Sequence, residues 1–234
     1  MKMLTPLRLV NMWLRRQFNK PKWYNMRSTV PISRKFGFDR GLPIGRYYIE
    51  KFLSKNKDYI RGRVLEVGDD TYTKKFGTDI TSSDVLHYTS DNPRATLVAD
   101  LSDLSTLPQE KFDCFICTQT LNFIYDFQEA IKGSHYLLAH GGTLLATVAG
   151  LIQISRYDMD RWGDYWRFTT LSLSKAISQV FGKENVDIDS YGNVLTAIAI
   201  IEGISSNELT KEELDEKDED YQIIISAVAR KAGT

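Results

Sequence analysis

Residues 63–73 read Arg63-Val-Leu-Glu-Val-Gly-Asp-Asp-Thr-Tyr-Thr73. Val64, Leu65 and Val67 form a short apolar run bounded by turn residues, the pattern of a buried strand. The run closes on Glu66 and Gly68. A polar turn follows and opens a short helix, with Asp70 or Thr71 as its cap and Gly77 as its stop. In an open α/β sheet the carboxyl end of the first strand is where a nucleotide-like ligand is held. The stretch therefore predicts an α/β protein with its site at this strand tip.

Working towards the C-terminus, Ile80 to Leu86 reads as a second strand, only about a dozen residues after Gly68, close to the minimum for a parallel crossover. It contains Asp84. A carboxylate at the end of such a strand can accept both hydroxyl protons of a ribose; the plain alternative is a solvated turn aspartate. Ala95 to Ala99 predicts strand three, ending in Asp100-Leu101-Ser-Asp103, and Phe112-Asp-Cys-Phe-Ile-Cys-Thr-Gln-Thr-Leu121 predicts strand four, with the polar Thr118 and Gln119 at its end. A helix over Asp126 to Leu138, the corner Ala139-His-Gly-Gly142 and a fifth strand over Thr143 to Val148 follow. Thr170 is the expected cap of a helix to Val180 that Gly182 ends. Val194 to Ile201 is the expected sixth strand and Gln222 to Val228 the last. Between these two, Glu208 to Asp220 holds eight acids and two lysines, a solvated helix and turn.

Working towards the N-terminus, residues 4–18 space their apolar side chains by three and four, with Arg8, Arg15 and Arg16 between, so an amphipathic helix is expected. Trp13 with arginines on one helix is the composition of an interfacial anchor; packing on the domain or on a second subunit, as in a homodimer, is the alternative. From Asn19 to Arg46 the chain is basic and punctuated by Pro and Gly, and a second helix runs from Arg46 to Asn56. Residues 1–46 carry 11 Lys or Arg against Asp39 alone, which leaves 19 bases and 29 acids in residues 47–234, or +10 against −10. The expected organisation is a basic arm over 1–46 and one domain over 47–234. The arm suits anionic lipid, a phosphorylated substrate, a protein partner or its own acidic body. Nucleic acid is disfavoured, because the body is acidic.

Cys114 and Cys117 are three apart, about 10 Å along a strand and beyond disulfide reach. No further residues supply a metal-ligand spacing, so they read as buried free thiols in a reducing cytoplasm. No apolar run reaches the roughly 20 residues of a membrane span.

The strand ending in Glu66-x-Gly68 resembles the first motif of class I S-adenosylmethionine-dependent methyltransferases, although Asp70 and Tyr72 stand where that motif has its second and third glycines. Asp84, Asp100-Leu101, Phe112-Asp113 and Gly141-Gly142 follow in the family's order. Pro31 to Gly41, Ile44 to Glu50, Gly68-Asp-Asp-Thr-Tyr-Thr73, Asp164-Tyr-Trp-Arg-Phe-Thr169 and Tyr191-Gly-Asn-Val194 are similar to a bacterial group of methyltransferases linked to glycosyltransferases of surface polysaccharide synthesis. This resemblance implies a Rossmann-like, mostly parallel seven-stranded sheet with an antiparallel last strand and helices on both faces. It implies S-adenosyl-L-methionine as cofactor, held by Glu66, Gly68, Asp69, Tyr72, Asp84, Asp100, Leu101 and Gln119. It also implies a small-molecule or glycan acceptor, and contact with a glycosyltransferase or a membrane through the arm.

Residues 150–170 are dense in aromatic and charged side chains. They form a candidate acceptor lid in which Tyr157, Trp162, Tyr165, Trp166 and Arg167 contact substrate; the alternative is a structural insert with Trp166 in the core and Arg167 paired to an acid. Candidate bases are Asp164 in the lid, Asp70 in the turn and His87 after strand two. A methyltransferase fold without activity, serving as an interaction module, is the competing expectation. A nicotinamide dehydrogenase is disfavoured by the lost glycines.

Overall fold

The structure, a computed structural model, describes residues 6–18, 21–22 and 24–233. The chain divides into two units, residues 1–31 and 32–234. In the first, α1 (Pro6–Phe18) is helical as expected, the expected start at Leu4 lying outside the described residues. The second unit takes in residues 32–46, which the sequence reading assigned to the arm. Ser33 N–H donates to Glu202 O (2.9 Å), Arg40 pairs with Glu208, and Ser206 N–H donates to Leu42 O (2.8 Å), so this segment is stitched to the body.

The body is built on one seven-stranded sheet: β1 (Gly62–Val67), β2 (Ile80–His87), β3 (Leu97–Val98), β4 (Phe112–Thr118), β5 (Leu138–Ala149), β6 (Val186–Tyr191) and β7 (Ile224–Arg230). Their order is β3-β2-β1-β4-β5-β7-β6. All neighbours pair in parallel except β7, which runs antiparallel to both β5 and β6. The expected mostly parallel sheet with an antiparallel last strand is observed.

Alternation along the central strands supplies two cores. Leu65, Phe115, Cys117 and Leu144 face α4 (Phe127–Leu137) and α6 (Thr170–Phe181), between which the chain forms the short helix α5 (Arg156–Met159). Val64, Cys114, Ile116 and Leu145 face α2 (Ile44–Lys55) and α7 (Val194–Glu202). Cys114 and Cys117 are free and fully buried on opposite faces, and burial pushes the Cys117 thiol up to about 12.

Two expectations need correction. Val194 to Ile201 is the helix α7, not the sixth strand: Asn193 and Thr196 form a capping box, and Gly203 closes the end in the left-handed conformation (φ +72°). The sixth strand is the preceding Val-Asp-Ile-Asp-Ser-Tyr, whose period-two alternation pairs Ile188 with Ala227 of β7. The cap of α6 is Thr169, with Ser172 as its capping-box partner, and not Thr170.

Candidate functional site

The first crossover helix, α3 (Thr71–Phe76), lies directly beyond β1. Asp70 holds its N-cap position as expected, but neither its side chain nor that of Thr71 caps the free N–H groups. Glu66 does so from inside the sheet: its carboxylate accepts the N–H groups of Tyr72 (3.0 Å) and Thr73 (2.8 Å) and the Thr73 hydroxyl (2.8 Å). Burial pushes the Glu66 carboxyl above its ordinary value, against the pull of these bonds. Glu66 is thus the fastener that sets the strand-to-helix turn.

Gly68 sits at the apex of that turn with φ +84°, and a Cβ added there would meet nothing within 4 Å. The backbone is therefore open to close approach by a ligand. Asn92 Nδ2 donates to Gly68 O (2.7 Å), and Gly68 N–H donates to Leu86 O (2.9 Å), fixing the tip. On β4 the matching tip residue, Gln119, is itself left-handed (φ +50°) and is held by N–H donation to Thr147 O (2.7 Å). A non-glycine residue held in that conformation stores strain, of order 1–3 kcal/mol, where the surroundings impose it.

Above these two tips lies a cleft with two lobes that share Val67, Gly68, Thr118, Gln119, Phe123 and Asp158. The first lobe, about 620 Å³, extends over β2 and β3 and is lined by His87, Tyr88, Asp100, Leu101 and Ser102, with Tyr157, Arg161, Trp162 and Tyr165 of the lid across from them. Asp100 is oriented by Ser102, whose N–H (2.8 Å) and hydroxyl (2.6 Å) both donate to Oδ1. His87 meets the edge of Trp162 at 5.6 Å. The second lobe, about 450 Å³, extends toward Phe36, Phe38 and Arg46 and includes Glu66, Asp69, Tyr72, Asn122, Gln153, Asp164 and Arg167. Tyr72 lines this wall, stacked near Phe76 (6.3 Å), and leaves the cleft open.

Three of the residues singled out from sequence stand elsewhere. Asp84 is inside β2, paired with Leu65, and its carboxylate accepts from Thr96 (2.9 Å); the strand continues to His87, so the tip facing the cleft carries His87 and Tyr88 and no acid. Asp70 is engaged by Lys74 (2.8 Å) and lines neither lobe. Trp166 packs on Phe127 (5.4 Å) and donates its indole N–H to Tyr125 O (3.1 Å), the structural alternative for that side chain.

Asp164 and Arg167 line the second lobe but are committed to each other. The Asp164 side chain is 1% exposed, accepts from Arg167 Nη1 (2.5 Å) and Nη2 (2.9 Å), and also accepts the Ser155 N–H (2.9 Å). Burial alone would raise its pKa, but the hydrogen bonds and charge of Arg167 and the Ser155 N–H hold it below the ordinary carboxylate value. This pair is a clasp for the lid, and so engaged a carboxylate is a poor proton acceptor. His87 faces the first lobe only. Among the described residues, the carboxylates that face the second lobe outside any ion pair are Glu66, already committed to the α3 N–H groups, Asp69, whose Oδ1 accepts the Thr71 N–H (2.9 Å), and Asp158, whose Oδ2 accepts the Ser155 hydroxyl (2.5 Å).

Asn122 was not singled out in the sequence. It is 2% exposed, its backbone carbonyl accepts the N–H groups of Tyr165 (2.9 Å) and Trp166 (3.2 Å), and its Oδ1 has no partner among the described residues. A buried polar atom without a partner is rare, and this one belongs to a residue of the cleft wall. Phe36, Phe38 and Arg46 were equally invisible as site residues, because the loop reaches the cleft only through its bonds to residues 202–208.

A sheet of this order, with a glycine turn after β1 and carboxylates near neighbouring tips, is the Rossmann-like fold of class I S-adenosylmethionine-dependent methyltransferases. Comparison with known proteins agrees: residues 61–146 match the family model described as "Methyltransferase domain". None of the curated proteins searched matches the chain. Among solved structures, a SAM-dependent methyltransferase from Archaeoglobus fulgidus is similar at 14% identity and a TM-score of 0.52, over 80% of this chain and 94% of that one. A possible histamine N-methyltransferase from Thermotoga maritima is similar at 14% identity and 0.51, over 96% and 97%. The cyclase SpnF is similar at 14% identity and 0.54, over 83% and 84%. Such identities establish the fold, which hosts more than one reaction. The domain match adds support for methyltransferase activity, and the cofactor indicated is S-adenosylmethionine.

The residues present fit that cofactor. Gly68 leaves the backbone bare at the junction, and the first lobe offers Asp100 for hydrogen bonding and Leu101 for apolar contact.

Proposed function

We propose that the chain is an S-adenosylmethionine-dependent O-methyltransferase acting in the cytoplasm on a sugar or phosphate group destined for a surface glycan. In this reading the first lobe takes the nucleoside, between Asp100, Leu101 and the lid aromatics Tyr157, Trp162 and Tyr165. The second lobe takes the acceptor. The observation that supports it most is the meeting of the two lobes at Gly68 and Gln119, where a donor in one and an acceptor in the other share a single junction.

S-adenosylmethionine supplies a methyl group on a sulfonium, so the protein has mainly to align acceptor and donor. Gln119, fixed by Thr147, and the Glu66-capped turn give that junction a rigid floor. Asp158 lines both lobes; Ser155 occupies its Oδ2 and leaves Oδ1 to receive an acceptor hydroxyl proton. Asp69 is the other carboxylate available there. Phe36 and Phe38 offer apolar faces to sugar CH groups, and Arg46, 5.4 Å from the Phe38 ring, offers a cation to phosphate.

Incubation with labelled S-adenosylmethionine and pools of nucleotide sugars and sugar phosphates tests this, with Asp158→Asn alongside. Transfer to a hydroxylated acceptor is expected, and its rate should fall about 100-fold in the variant, within the range for loss of a general base, while donor affinity is kept. A second reading is a catalytically silent fold that binds a glycosyltransferase. It is favoured by the absence of an acid at the β2 tip, and any labelled product would remove it.

A further inference from the structure

We propose that α1 is a docking face for the surface of an anionic phospholipid membrane. At 100° per residue, Val10, Trp13, Leu14 and Phe18 fall within an arc of about 140° interrupted only by Gln17, while Arg15 and Arg16 lie on the other side with Met12 between them. Among the described residues of its own unit nothing covers this arc: Phe18 is 84% exposed and Trp13 55% exposed. In water such a face has no compensating contact, and burying it elsewhere removes the cost of its hydration.

Charge selects the occupant. Residues 1–38 contain nine Lys or Arg and no acid. A second copy docking through the same face would bring two such segments together, like charge against like. A negative lipid surface instead attracts every one of these residues, at a strength equivalent to about five-fold in partitioning per base near the surface. An apolar arc to enter the headgroup boundary, tryptophan at its edge and arginines opposite form the composition that lies in a membrane interface. No helix of the described residues is long and apolar enough to cross a membrane, so the contact is peripheral.

This inference is independent of the acceptor chemistry. Its test is co-sedimentation of the full chain with vesicles of phosphatidylcholine alone and of phosphatidylcholine with phosphatidylglycerol. Binding to the anionic vesicles only is expected, weakened by high salt, which shortens the reach of surface charge. Trp13→Ala with Phe18→Ala should abolish it. Arg15→Glu with Arg16→Glu should reduce it by at least 25-fold, about five-fold for each base lost. The thermal melt of each variant should match that of the parent chain, since the changes lie outside the body. Failure to sediment with either vesicle, or sedimentation unaltered by both double variants, would overturn the proposal. So would a parent chain that is dimeric by light scattering, becomes monomeric in Trp13→Ala/Phe18→Ala and ignores vesicles, because the face would then belong to a second copy.

Discussion

The two lobes of the cleft meet at the same residues but are assembled differently. The first is mostly a property of the sheet: its floor comes from the tips of β1 to β4, each a few residues beyond a buried strand, and only the lid comes from afar. The second gathers Phe38, Asn122, Arg167, Ile200 and Ile224, which no single motif spans. It depends on long tethers such as Ser33 to Glu202 and Arg40 to Glu208, and on the Asp164–Arg167 clasp. The first lobe thus rests on strand tips while the neighbouring lobe is shaped by loops, the usual division between a scaffold and the segments it carries.

Four variants and one change of condition put this contrast under strain. Gly68→Val should have the largest effect, because it places a branched side chain where φ is +84° and fills the open space at the junction. Affinity for S-adenosylhomocysteine should fall about 100-fold or more, equivalent to about 2.7 kcal/mol, by titration calorimetry, with circular dichroism still native. Glu66→Gln removes one carboxylate oxygen from the capped turn. It should cost about 2 kcal/mol of stability, within the range for a buried donor left unpaired, and lower the melting temperature by about 6 °C.

Acidification separates the lid from the floor. Because the Asp164 pKa is held below its ordinary value of 3.8, its ion pair stabilises the lid fully above that pH and loses this contribution as pH falls through the depressed value. Near-ultraviolet circular dichroism from Trp162 and Trp166 should therefore change below about pH 4, and Arg167→Met should remove this clasp at neutral pH. Asp84→Asn should do least. With its carboxylate turned to Thr96 inside the sheet, donor affinity should stay within about two-fold, a difference of about 0.4 kcal/mol; a loss of ten-fold would return Asp84 to the cleft.

The same contrast explains what the sequence disclosed. Glu66, Gly68, Asp100 and Gln119 were legible because a strand tip is a local feature, marked by where an apolar run stops. Asp84 was misplaced within its strand: β2 pairs on to His87, and an acid three residues before that last pair faces its own sheet neighbours. The segment 194–201 misled for a related reason. An apolar run of eight residues suits a strand or a buried helix equally, and the deciding signals were the Asn193–Thr196 box and Gly203 at its ends. Asn122, Arg46 and Phe38 carry no local mark. Asn122 is placed by the lid, through the Tyr165 and Trp166 N–H groups, and Phe38 by a loop tethered to residues 202–208, contacts that no spacing rule contains. Asp164 and Arg167 were visible as a pair of charged side chains, but only the geometry shows that they satisfy each other.

The central claim is that a donor nucleoside binds over the tips of β1 to β4. Titration calorimetry of the full chain with S-adenosylhomocysteine tests it most directly. The account predicts saturable binding at one site per chain, lost in Gly68→Val and retained in Asp84→Asn. Absence of binding at millimolar ligand by the folded parent chain, or equal binding by Gly68→Val, would contradict it.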